Sequence, residues 1–101
     1  MEDVFEVVAE PSRRGILDLL TDRPHSVGEI ADRTGLSQPN VSRHLRILRE
    51  ADVVVAQPRG QRRLYELRPE GMAELIGWIA PYQRLWHGSL NALERHLDKE
   101  D

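Results

Sequence analysis

The apolar positions fall in short periodic runs separated by polar breaks, and each run predicts one element. Val4, Val7 and Val8 share a helical face with Phe5 beside them, which predicts a short helix over residues 1–9. Glu10-Pro11-Ser12 ends it. A second helix begins at Pro11 or Ser12 and turns Ile16, Leu17, Leu19 and Leu20 inward, leaving Arg13, Arg14 and Asp18 outside. Gly15 in its middle costs about 1 kcal/mol relative to alanine, which a close helix approach would explain. After a loop over residues 21–24, Val27, Ile30 and Ala31 recur at one-face spacing. Ser26 precedes them and Glu29 lies three residues on, the spacing of a capping box. Gly35 supplies the left-handed conformation that ends a helix. Ser37 then caps a fourth helix, with Pro39 in its first turn. Val41, Leu45 and Leu48 form one buried stripe, and Gln38, Asn40, Ser42, Arg43, His44, Arg46 and Arg49 are left to the outside.

The period then changes from helical to alternating. Residues 53–56, three β-branched valines and Ala56, predict a strand, residues 58–61 a turn around Gly60, and residues 62–67 a returning strand. Tyr65 and Leu67 share the face that packs on the helices, with Arg63 further out on that face. A hairpin straight after a polar-faced helix, with arginines at its tip, has the form of the wing of a winged helix. Pro69 opens a further helix to about Ile79, and Pro81 interrupts it by a kink or a new start. Beyond it Tyr82, Trp86, Leu90, Leu93 and Leu97 recur by threes and fours, a seam that calls for a partner helix. The fold class is therefore mainly α with a small β-hairpin (α+β). The order is α-α-α-α-β-β-α(-α), in a single winged helix-turn-helix domain over residues 1–101.

Charge changes the picture more than composition does. The net charge of −3 is unpromising for a nucleic-acid binder. Its distribution is not. Residues 37–63 hold six arginines against Glu50 and Asp52, a net of +4. Residues 1–36 carry −4 and residues 64–101 carry −3. A phosphate responds to charge within a Debye length of about 8 Å, so the local sign decides. The absence of cysteine excludes disulfides, thiolate metal sites and a cysteine nucleophile. No apolar run approaches a membrane span, and the acidic N-terminus is unlike a signal peptide, so a cytoplasmic protein is expected. Neither a nucleophile elbow nor a Gly-rich phosphate loop is present, so no enzyme activity is expected.

Four pieces of the chain resemble the ArsR/SmtB family of bacterial winged helix-turn-helix regulators. Residues 9–20, AEPSRRGILDLL, are similar to its second helix, and residues 36–54, LSQPNVSRHLRILREADVV, to its recognition helix and the start of its wing. Residues 59–67, RGQRRLYEL, are similar to the wing, and the amphipathic C-terminal segments to its dimerisation helices. The resemblance implies a homodimer that binds double-stranded DNA at a palindromic operator, usually as a repressor released by a signal. Its dimerisation helices would lie at residues 1–9 and 69–97, its recognition helix at 38–50 and its wing at 53–67. The chain departs from the metal-sensing branch. The segment before the recognition helix has no cysteine, and Leu85, two residues before His87, is not an acid. His87 and His96 are nine apart, so a metal site across the dimer is the lesser alternative. No metal or other cofactor is expected, and the effector is unassigned.

The candidate DNA contacts follow from side-chain chemistry. Gln38 can pair bidentately with adenine and Arg43 with guanine, while Ser42 is short enough to let the helix sit deep. The resemblance places base contacts at the same three positions. Asn40 and Arg46 flank that face and reach phosphate. Ser37 and Pro39 form the helix start, where the N-terminus can also meet a phosphate, as can that of Ser26. Arg59, Gln61, Arg62 and Arg63 lie on the wing. The plainer alternative for all of these is a solvated polar surface. The candidate dimer contacts are Val4, Phe5, Val8, Tyr82, Trp86, Leu90, Leu93 and Leu97. Trp78 and Trp86 are seam residues first and effector-pocket residues second. The rivals to a non-metal DNA-binding repressor are a metal-responsive repressor and a winged-helix protein-interaction module without DNA binding.

Overall fold

The computed structural model describes residues 3–99, with side chains through Leu97. The elements are α1 (Val4–Ala9), α2 (Pro11–Leu20), α3 (Val27–Thr34), α4 (Gln38–Glu50), β1 (Val54–Arg59), β2 (Arg62–Leu67), a 3-10 turn (Pro69–Met72) and α5 (Ala73–Lys99). Residues 1 and 2 of the predicted first helix lie outside the described residues.

The helices α1 to α4 each begin where a side chain accepts from an orphan backbone N–H. Asp3 accepts from Glu6 at 3.0 Å and Glu10 from Arg13 at 3.0 Å, with Pro11 in the first turn of α2. Ser26 and Glu29 close a reciprocal capping box, both bonds at 3.2 Å, and Ser37 accepts from Asn40 at 3.3 Å. Gly35, at φ +79°, ends α3. Asp52 ends α4 at φ +63°, with its N–H donating to Arg49 O and that of Val53 to Leu48 O, a Schellman closure with aspartate in the left-handed position.

The core is where the stripes of α2, α3 and α4 meet. Val7, Ile16, Ile30, Val41, Leu45, Leu48 and Val53 are almost wholly buried there, and Tyr65 joins them from β2. Val53 was expected in the first strand. It belongs instead to the helix closure and the core. The strand begins one residue later and runs through Pro58 to Arg59, so the turn shrinks from residues 58–61 to Gly60-Gln61. Pro58 is tolerated because the described sheet has only two strands.

Two polar expectations are overturned. Arg13, expected outside, is only 9% exposed, and its Nε donates to Val7 O at 2.7 Å. His44, expected on the outer face of α4, is 7% exposed and sits 3.5 Å from an Arg13 guanidinium nitrogen. Arg13 therefore ties α1 and α4 to α2. No close approach to Gly15 explains that glycine within the protomer.

The C-terminal region is one helix, not two. Pro81 lies inside α5 and does not end it. The radius of gyration is 17.8 Å, against about 13 Å for a compact chain of this length. The excess comes from α5, roughly 40 Å long at 1.5 Å per residue, which projects from the body to give a longest dimension of 60 Å.

Candidate nucleic-acid interface

Burying Val41, Leu45 and Leu48 fixes the roll of α4 about its axis. At 100° per residue Arg43 and Arg46 fall on the opposite side, with Ser42 on the flank and Gln38 in the first turn, and all four are exposed. Ser37, Pro39 and Asn40 are exposed at its start. On the wing, Arg59, Gln61, Arg62 and Arg63 are exposed as well. Every candidate DNA contact is thus accessible, and the two groups occupy one helix face and the adjoining hairpin tip.

The wing is tied to the helix-turn-helix at two heights. At its base, His25 and Tyr65 exchange backbone bonds: His25 N–H donates to Tyr65 O at 3.0 Å and Tyr65 N–H to His25 O at 2.8 Å. Near its tip, Arg62 donates to Glu29 Oε1 at 3.2 Å. The other oxygen of Glu29 meets Arg23 at 3.0 Å. The Ser26 N–H bond, followed by the Arg23 guanidinium, lowers the Glu29 carboxyl to about 2. It stays ionised across the working pH range. Register places Arg59 directly opposite Arg62. Like charges so placed repel, and the Glu29 carboxylate offsets this on the Arg62 side. Sequence reasoning missed Arg23 and the Glu29–Arg62 pair, although facing arginines in a hairpin signal the need for an anion.

His44 is held neutral. Burial pushes its pKa down, and Arg13 and Arg43 push the same way against the opposing pull of Glu10. The approach to Glu10 at 4.0 Å is then not an ion pair at neutral pH. Arg13 can donate to Nδ1 only if the ring proton is on Nε2. Because the folded pKa lies below the ordinary 6.5, the unfolded chain binds the extra proton first as pH falls. Stability is full above pH 6.5 and declines below it. Thermal unfolding followed between pH 7.5 and pH 5.5 should show a fall in Tm that His44→Gln reduces. An equal fall in both proteins would remove His44 as its source.

The apolar stripe on α5 is open. Tyr82 is 54% exposed, Trp86 63% and Leu93 and Leu97 53% each, and Leu85 reaches 70%. Phe5 meets Trp78 edge-to-face at 5.8 Å, joining α1 to this surface. Val4 does not contribute to it: at 6% exposure it is turned into the protomer's own core. Val8 lines an apolar groove of about 520 Å³ with Leu17, Met72, Leu75 and Ile76, and neither tryptophan lines that groove. Among the described residues no three His, Cys, Asp or Glu side chains come together in a group that could hold a metal ion. Among them, too, no helix is long and apolar enough to cross a membrane.

Comparison with known proteins agrees with this geometry. The profile of the bacterial regulatory protein arsR family matches residues 10–55, from the cap of α2 into β1. The transcriptional repressor SdpR of Bacillus subtilis is 37% identical over 79 residues, 78% of this chain and 88% of that protein. The HTH-type transcriptional regulator Rv2034 of Mycobacterium tuberculosis is 35% identical over 96 residues, covering 95% of this chain and 87% of that one. Among solved structures, a possible transcriptional regulator for arsenical resistance superposes with a TM-score of 0.74 at 34% identity, over 87% of this chain and 97% of that chain. The homodimeric winged helix-turn-helix DNA-binding domain of a possible ArsR-family regulator from Mycobacterium bovis gives 0.66 at 30% identity, over 83% and 80%. The chain belongs to the ArsR family of bacterial regulatory proteins, and is a DNA-binding transcriptional regulator of winged helix-turn-helix fold rather than an enzyme.

Proposed function

We propose that the protein is a homodimeric repressor that binds a palindromic operator in the cytoplasm, with no resident metal. The observation that carries this is the coincidence of exposure and charge: the open face of α4 and the wing tip are the +4 island on an otherwise acidic chain. Gln38, Ser42 and Arg43 read base edges in the major groove, with the start of α4 at Ser37 and Pro39 lying against the backbone. Asn40, Arg46, Arg59, Gln61, Arg62 and Arg63 hold phosphates. The open stripe from Tyr82 to Leu97, with Phe5 and Val8, pairs two protomers. Two recognition helices related by a two-fold axis then meet half-sites about one helical turn, roughly 34–36 Å, apart.

Arg43→Ala should lose about 1–3 kcal/mol on the operator and relax specificity at one base pair. The check is a fluorescence titration with the promoter of its own gene and with a random duplex. Equal loss on both would end the base-reading role of Arg43. The same titration at two salt concentrations separates this function from a protein-interaction module, which would show no salt-dependent DNA binding.

A further inference from the structure

We propose that Glu29 is a positioning residue for the wing, holding the Arg62 guanidinium where it can bond a DNA phosphate with the donors Glu29 leaves unused. This rests on the assignment of Arg62 to phosphate made above.

Three observations carry it. Glu29 is at the third position of α3 and its carboxylate already accepts from Ser26 N–H. Its geometry is therefore set by the helix cap before Arg62 arrives, and only one side chain has to be ordered to form the contact. An exposed ion pair is ordinarily worth little because both partners must be ordered; here one is fixed in advance. Second, the carboxylate is shared by Arg23 at 3.0 Å and Arg62 at 3.2 Å, so the cluster carries one net positive charge and still attracts a phosphate. Third, Arg62 remains 64% exposed. Guanidinium has five donors in a rigid fork, and the bond to Glu29 uses one terminal nitrogen.

The proposal makes a prediction opposite in sign to simple electrostatics. Removing a carboxylate beside DNA ought to tighten binding. If Glu29 positions Arg62, Glu29→Gln weakens it. Glutamine serves in a capping box as glutamate does, so α3 keeps its cap, and circular dichroism with thermal unfolding confirms the fold.

The test is a fluorescence-anisotropy titration of a random-sequence duplex, since a phosphate contact is independent of sequence. It is run over a salt series with the wild type, Glu29→Gln, Arg62→Ala and the double variant. Glu29→Gln is expected to bind about three- to tenfold more weakly, the lower part of the range of coupling between residues in contact. Its salt slope should fall toward that of Arg62→Ala, which is lower than wild type by about one. In the Arg62→Ala background Glu29→Gln should cause no further loss. Unchanged or tighter binding by Glu29→Gln overturns the proposal, as does a loss with the wild-type salt slope. An unchanged slope in Arg62→Ala overturns the phosphate contact itself, a distinct failure.

Discussion

Trp86→Glu combined with Leu90→Glu is expected to give a folded monomer that has lost operator affinity by about a hundredfold or more, the lower part of the range that two linked sites gain over one. The two residues are 63% and 38% exposed, one turn apart in the middle of the α5 stripe. Carboxylates there meet solvent in the protomer, so its core is undisturbed. Across a two-fold axis the same positions bring four carboxylates into an apolar seam, where each unpaired charge must be desolvated or neutralised. Sedimentation velocity at micromolar concentration should show monomer where the wild type shows dimer. A half-site duplex should bind both proteins equally, because α4 and the wing are unchanged. Retention of the dimer would move the interface off this stripe. A monomer with full operator affinity would instead remove the need for two-fold symmetry.

Most of what places α4 was legible in the sequence because it is local. The Ser26–Glu29 capping box, the Gly35 stop and the spacing of Val41, Leu45 and Leu48 each depend on residues within a few positions. What escaped depends on contacts across elements. Arg13 and His44 are polar, and polarity by itself predicts exposure. Their burial is offset by a bond to Val7 O and by the contact between the two side chains, 31 positions apart in sequence. Sequence periodicity put His44 beside Leu45 but had no means of weighing an arginine that arrives from α2. The candidate DNA face was readable for the complementary reason. A face with no partner inside the protomer is what remains once the stripe is assigned. The hold of Glu29 on Arg62 joins residues 33 positions apart, so it was hidden in the same way. Val4 was misplaced by the same limit: on a short helix periodicity gives a face, but not whether that face meets its own core or a second protomer.

Gly71→Ala is expected to lower stability by about 3 kcal/mol, the upper end for forced overpacking. That corresponds to a fall of roughly 10–20 °C in Tm for a domain of this size. The requirement is space. A Cβ on Gly71 would lie 2.0 Å from Asp52 O and 2.3 Å from Asp52 C. Both are backbone atoms of the corner that closes α4, with Asp52 at φ +63° and its neighbours engaged. Arg68 N–H donates to Val53 O at 2.9 Å on the same corner, so the 3-10 turn is bonded to what it would have to leave. Neither side gives way cheaply. Gly15→Ala is the control: nothing lies within 4 Å of its Cβ, and it sits inside α2, where alanine should stabilise by up to about 1 kcal/mol. One substitution at two glycines should thus move Tm in opposite directions, measured at equal protein concentration because dimerisation makes Tm concentration-dependent. The consequence reaches past stability. The corner joins the C-terminal end of α4 to the first turn of α5, the recognition helix to the apolar stripe. A folded Gly71→Ala protein should therefore lose affinity for the intact palindrome more than for a half-site duplex. Equal losses on the two duplexes would show that the corner holds the chain together without setting the angle between the two helices.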